Sequence, residues 1–327
     1  MNIAVVTGAS GFVGSHLVDH LLEKKYEVRC IVRRSSDLRW LKGKNVKIFD
    51  CGLFDVDGMT TAFKDANYIF HVAGVVKSKK PEGYFKGNVD TTDALLKAAL
   101  NSASTIKKIV IVSSLTAVGP SLDGAPVTEE TECKPITTYG RSKLAQEKLA
   151  AAYMNKLPIT ILRLHAVYGE RDTEIFKVFQ TYKMGLMTLV GFDEKRLNLV
   201  HVADTVDGIY AAAVSDKTSG QTYFIASEIA YTWPQVGDAF AKAFGRKAIN
   251  VRFPHFLVYV VATFAEFFSM FSSKPATFNL EKAKDFVQKD WICDVSKAKR
   301  DFNFRQTVGL IDGIKRTHDW YRKMKWL

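Results

Sequence analysis

Apolar positions along this chain fall into short runs that alternate with stretches of helical period. Asn2-Ile-Ala-Val-Val6 is apolar and partly β-branched, which suits a buried strand. Thr7-Gly8-Ala9-Ser10-Gly11-Phe12-Val13-Gly14 follows it, and Ser15 to Lys24 then carries a helical pattern. Glu27 to Val32 and Lys107 to Val112 read as further buried strands, while Tyr139 opens a helix running through Leu149. Strands alternating with helices predict an α/β fold, a mostly parallel sheet with helices over its faces.

After Ile225 that pattern fades. Trp233 to Phe244 reads as a helix stopped at Gly245, and Ala248 to Phe253 as a short strand. Pro254 to Phe271 is apolar on nearly every side of a helix and holds five phenylalanines, interrupted by Glu266. It is too short to span a bilayer. Three readings stand open for it: a core helix, a helix lying in a membrane interface, or the wall of an apolar substrate pocket. Ile311 to Leu327 mixes Trp320, Tyr321 and Trp326 with five basic residues. An amphipathic terminal helix packed on the body explains it, and contact with a membrane interface is the alternative.

Composition narrows this picture. The chain has 327 residues, 47% of them hydrophobic, which is enough for a sizeable core and excludes a disordered chain. Cys30, Cys51, Cys133 and Cys293 stand far apart with no CxxC pair, so neither a zinc site nor a disulfide framework is expected. A strand starting at Asn2-Ile3 leaves no room for a signal peptide, and a reducing, cytoplasmic location is expected, with membrane-surface association as the variant. The net charge of +12 invites anionic partners. No RNA-binding motif or zinc finger accompanies it, so phosphate binding rather than nucleic acid is the expectation.

The glycines carry the first candidate chemistry. Gly8 permits a tight turn out of the strand, Gly11 lets backbone amides approach a pyrophosphate, and Gly14 lets the helix lie close to the sheet. The helix N-terminus adds positive potential for that anion. The spacing is GxxGxxG. At the end of the second strand stand Arg33 and Arg34, where an acidic residue would bind the ribose hydroxyl of NAD. A guanidinium there suits a 2′-phosphate, so NADP(H) is favoured over NAD(H).

A second constellation lies further on. Ser113-Ser114 end the strand from Lys107, and Tyr139-Gly-Arg-Ser-Lys143 puts a tyrosine and a lysine on one helix face. Carbonyl reduction needs a proton donor at oxygen while hydride arrives at carbon. A tyrosine serves if a nearby ammonium lowers its pKa. In this reading Tyr139 is the acid, Lys143 supplies the ammonium and binds the nicotinamide ribose, and Ser114 holds the substrate oxygen.

TGASGFVGSHL (7–17), HVAG (71–74), Asn88-Val89, VSSLTAVGP (112–120), YGRSK (139–143), LRLHAVYG (162–169) and LVHVADTVDGI (199–209) occur together in order. On these pieces the chain resembles the extended short-chain dehydrogenase/reductase family, also called the NAD-dependent epimerase/dehydratase family. The resemblance implies a Rossmann-type doubly wound parallel sheet with a smaller, mainly helical C-terminal substrate region. It divides the chain into a cofactor part, 1–165 with 198–226, and a substrate part, 166–197 with 227–327. It places Gly8, Ser10, Gly11, Phe12, Val13 and Gly14 at the pyrophosphate, Ala73 and Gly74 along the cofactor groove, and Leu164, His165 and Ala166 at the nicotinamide end. Leu53 falls near the adenine, where Cys51-Gly52-Leu53 departs from the family's Gly-Asp-Leu. His165 and Val118-Gly119 are further departures, and His165 reads either as a substrate ligand or as a structural histidine. The resemblance also implies a homodimer.

Three functions compete. The first is an NADP(H)-dependent ketone reductase or alcohol dehydrogenase for an apolar or aromatic small molecule, as the phenylalanine-rich segment resembles the 3β-hydroxysteroid dehydrogenase-like and dihydroflavonol reductase-like branch. The second is a nucleotide-sugar epimerase or dehydratase that retains its cofactor; Lys195 and Arg196 lie near where such enzymes hold a diphosphate. The third is a cofactor-sensing regulatory protein, which the Tyr139–Lys143 pair argues against.

Overall fold

The computed structural model describes residues 1–269 and 278–327. Six strands come early in the chain: β1 (Ile3–Thr7), β2 (Glu27–Ile31), β3 (Val46–Phe49), β4 (Tyr68–His71), β5 (Lys108–Ser114) and β6 (Ile159–Leu164). With Gln221–Ile225 they form one seven-stranded sheet, in the order Gln221–Ile225, β6, β5, β4, β1, β2, β3. Every pairing in it is parallel. The chain steps from β1 outward to β2 and β3, then crosses back to place β4 on the other side of β1. That reversal opens a crevice at the C-terminal ends of β1 and β4, where doubly wound sheets bind ligands.

Both faces of the sheet are covered, which is why its central strands read as unbroken apolar runs. Leu17, Val18 and Leu21 of helix Phe12–Glu23 join Val206, Ile209 and Ala212 of helix Val202–Val214 over one face. Met59, Phe63, Leu95, Leu96 and Ala150 cover the other. The three sheet strands read from the sequence end within one or two residues of their expected boundaries; β5 runs two residues beyond Val112, so that Ser113 and Ser114 are its last members.

The later part of the chain builds a separate cluster from Tyr168, Phe179, Phe240, Ile314 and Tyr321. Helix Trp233–Phe244 begins on a capping box between Thr232 and Gln235 and stops at Gly245, whose φ of 66° is left-handed. Helix Leu310–Lys323 packs there, and Trp320 and Trp326 lie against the same cluster. The aromatic residues of the terminal segment therefore face the protein, and the basic ones face water.

Helix His255–Ser269 differs from the core reading of its sequence. Only Val258 and Ala262 are buried; the phenylalanines are exposed. Residues 270 and 271 of the expected helix lie outside the described residues. Among the described residues no helix is long and apolar enough to cross a membrane. All four cysteines are free.

Candidate active site

The glycine loop is shaped by close packing. A side chain at Gly8, whose φ is 69°, would come within 2.7 Å of the Ala73 backbone nitrogen, and one at Gly14 would collide with the Gly8 carbonyl. Gly11 is the N-cap of helix Phe12–Glu23; it offers no capping side chain, and the first turn holds no acid. The first-turn amides are thus left for an anion, and the loop fits a pyrophosphate. Ser10 is partly buried, and Phe12 and Val13 pack against the core beneath. Arg33 lies two residues past β2, bridged to Cys51, with its amide donating to Ser36 Oγ at 3.1 Å and its side chain exposed. Arg34 lies 3.5 Å from Asp50 at the surface. Leu53 packs beside Phe49, Cys51 and Val56.

Tyr139 and Ser114 meet because a helix is allowed unusually near a strand end. Thr137 caps helix Thr138–Ala151 by accepting from the Gly140 amide at 3.1 Å. A side chain at Gly140 would collide with the Thr116 carbonyl, so only glycine lets this helix seat on the turn after β5. Ser114 Oγ accepts from the Thr116 amide at 3.2 Å and from the Thr116 hydroxyl at 2.9 Å. Both lone pairs are then used, which leaves the Ser114 hydroxyl proton to act on Tyr139, whose phenol it holds down against the effect of burial.

Burial dominates the electrostatics of the tyrosine. Burial drives the Tyr139 hydroxyl up to about 12; the Ser114 hydrogen bond opposes that rise, and Asp285 and Tyr84 add to it. The Lys143 ammonium is held in place by neutral acceptors. It donates to the Val112 carbonyl at 2.8 Å and to Gln146 Oε1 at 2.6 Å. Desolvation lowers Lys143 itself to about 8, opposed by the Glu147 charge. Tyr139 is therefore a protonated phenol, a donor in waiting.

Behind Lys143 runs a buried polar chain that sequence reading did not find. Gln146 donates to Thr92 Oγ1 at 2.7 Å, and that hydroxyl donates to the Asn88 carbonyl at 2.7 Å. Thr92 must then accept from His71 Nε2 at 2.9 Å, which fixes the tautomer with its proton on Nε2. His71 Nδ1 in turn accepts from Thr7 Oγ1 at 2.8 Å, and Thr7 accepts from the Ala73 amide at 3.3 Å. Burial holds His71 down to about 3, so it stays neutral as the chain requires. One directional assignment thus joins the residue before the glycine loop to Lys143. Gly74 borders it: a side chain there would meet Asn88 Oδ1 at 3.1 Å and Lys143 Nζ at 3.6 Å.

A buried ion pair locks the same helix to the sheet. Arg163 on β6 meets Glu147 at 2.8 Å, both side chains only 7% exposed, and Ser113 also donates to Glu147.

The opposite wall comes from later in the chain. Leu164 is the strand partner of Ser114, so His165 lies one residue beyond it. The His165 ring stacks near Trp291, with centroids 6.0 Å apart. Its Nε2 is buried with no hydrogen-bond partner among the described residues, and burial lowers it to about 4. Ala166 holds a φ of 36°, a left-handed backbone that a side chain adopts under strain. Helix Leu280–Val287 supplies Asp285, whose Oδ1 is likewise buried and unpartnered. Burial, helped by Glu281, raises Asp285 to about 7. Glu281 also accepts from the Thr138 amide, tying this helix to the start of the catalytic one. Tyr84 lies 6.4 Å from Tyr139, ring to ring.

Comparison with known proteins places this arrangement. The NAD dependent epimerase/dehydratase family matches residues 4–226. Ceramide reductase of Caulobacter vibrioides is 28% identical over 99% of this chain and 96% of its own. The 2-alkyl-3-oxoalkanoate reductase of Shewanella oneidensis is 25% identical over 96% of this chain and 84% of its own. Among solved structures, UDP-glucuronic acid 4-epimerase from Bacillus cereus, in complex with NAD, covers 98% of this chain and 99% of its own. Its TM-score is 0.79 at 21% identity, a likeness of fold. The chain belongs to the NAD-dependent epimerase/dehydratase family, the extended short-chain dehydrogenases/reductases.

Proposed function

We propose that this member of the NAD-dependent epimerase/dehydratase family is an NADP(H)-dependent oxidoreductase that interconverts an apolar or aromatic ketone and its alcohol. The observation that carries this reading is the placement of Ser114 at the buried Tyr139 phenol, with both Ser114 lone pairs taken by Thr116 so that its proton is left for the tyrosine. Tyr139 keeps its own proton free for a substrate carbonyl, and Ser114 stabilises the tyrosinate as it forms. A bound nicotinamide supplies the hydride. Lys143 holds positive charge beneath the site while Gln146 and the Val112 carbonyl fix its position.

Two observations favour redox chemistry over the nucleotide-sugar alternative. Lys195 Nζ is buried on the carbonyls of Val287 and Gln288, and Arg196 is held by Asp290 at 2.8 Å and by the Gly124 carbonyl at 2.9 Å. Both cations are already engaged within the protein, and Lys195 is buried. Two relatives matched over nearly the whole chain carry the names of reductases, of ceramide and of 2-alkyl-3-oxoalkanoates, which supports an apolar substrate. The exposed Arg33 at the end of β2 supports NADP(H).

The test is a cofactor-absorbance assay across apolar ketones, apolar alcohols and UDP-sugars, with the products identified by mass and NMR. NADPH consumption with an apolar ketone, and a shift toward NADH in Arg33→Asp, is the expected result. Sugar conversion without net cofactor turnover would replace this reading with the epimerase one.

A further inference from the structure

Helix His255–Ser269 presents a surface that the chemistry of the cleft does not use. Its buried residues, Val258 and Ala262, share one side and pack with Ala283 of helix Leu280–Val287. The opposite side carries Phe256, Tyr259, Val260, Val261, Phe264 and Phe268, with exposures from 37% for Tyr259 to 69% for Phe256. At 3.6 residues per turn these positions span an arc of roughly 200°. Glu266, the one acid of the helix, accepts from the Leu280 amide at 3.3 Å and so serves the neighbouring helix. The approach to the helix is cationic: Arg246, Lys247 and Arg252 are exposed, and no acid occurs between Gly245 and Ala265.

We propose that this helix seats the protein on an anionic bilayer surface, with its phenylalanine face in the boundary between headgroups and acyl chains. A contiguous apolar face of this width on a folded protein marks an interaction site. A partner helix covers a stripe of about 100°, half the arc exposed here, whereas a bilayer wets the whole of it. The cations beside it complement anionic headgroups, as the chain's charge of +12 does at longer range. The helix is too short to cross, so it lies on the surface. The inference stands apart from the reaction, although the helix is one packing layer from Asp285 at the cleft.

Flotation of the full-length protein with phosphatidylglycerol/phosphatidylcholine vesicles tests it, against pure phosphatidylcholine and at raised salt. The wild type is expected to float with the anionic vesicles, and Phe264→Ser/Phe268→Ser to lose at least tenfold in partitioning with its melting temperature and cofactor binding unchanged. As a second reading, Phe264→Trp should blue-shift on adding those vesicles and be quenched by lipids brominated along the acyl chain. No flotation, or flotation equal in the double variant, overturns the proposal. A wild-type dimer that the double variant dissociates, without vesicle binding, assigns the face to a second copy and overturns it equally.

Discussion

Two walls of one cleft differ in how completely their polar groups are satisfied. On the cofactor side, hydrogen bonds run from the Ala73 amide through Thr7, His71, Thr92 and Gln146 to Lys143, with each proton assignable. On the facing side, Asp285 Oδ1 and His165 Nε2 are buried without partners, and burial shifts both groups toward neutrality. A wall that serves one unchanging cofactor can be closed on itself. A wall that meets the substrate keeps donors and acceptors in reserve, at a cost in stability.

If that contrast is right, changes to the first wall should unfold or misalign the site, and changes to the second should not. The largest effect is expected at Glu147. Replacing it by Ala leaves Arg163 buried and unpaired, and should lower stability by about 3–5 kcal/mol, measured by urea denaturation. Next comes Gln146→Leu, which removes one acceptor from the Lys143 ammonium and one donor from Thr92 Oγ1. Turnover should fall about tenfold, consistent with roughly 1–3 kcal/mol for a buried hydrogen bond. The alkaline limb of its pH–rate profile, set in the wild type by Lys143 near 8, should move to lower pH, because a lost bond to the charged form favours deprotonation. An unchanged limb would show that Gln146 merely fills space.

The effect at the second wall has the opposite sign. Folding raises Asp285 to about 7 from the ordinary value of about 4, so the folded protein holds a proton that the unfolded chain releases between these values. Stability contributed by this group is present below about pH 4 and lost as pH rises through 7. Asp285→Asn should therefore gain stability on the wild type as pH rises over that window, and lose substrate affinity. Thermal melts at several pH values, beside the KM, check both; destabilisation at neutral pH would break the contrast.

How much of this was readable in the sequence follows the same division. The glycine loop and the Tyr139–Lys143 pair were legible because each is local, set by turn geometry or by one turn of helix. Ser114 was legible from its place at a strand end. Thr92, Gln146 and His71 were not, since only the order of strands brings them together. Asp285 was invisible for the same reason: it lies far along the chain from Tyr139 and reaches it by tertiary packing. Spacing on a helix places Lys143 near Tyr139, but it cannot show that the ammonium bonds the Val112 carbonyl and Gln146 or that burial raises the phenol. Helix His255–Ser269 was correctly placed, yet an all-round apolar pattern is equally that of a core element, and burial is decided by what packs against it.

The central claim is that Tyr139 donates a proton to a carbonyl that receives hydride from the cofactor. Single-turnover reaction of the wild type with NADPH deuterated at the transferring position, on an apolar ketone, tests it most directly. The account predicts one deuterium at the new carbinol carbon, read by mass spectrometry and NMR, and at least a hundredfold slower transfer in Tyr139→Phe, within the 10²–10⁴ range of general acid catalysis. Deuterium remaining on the cofactor, or equal rates in the variant, would contradict it.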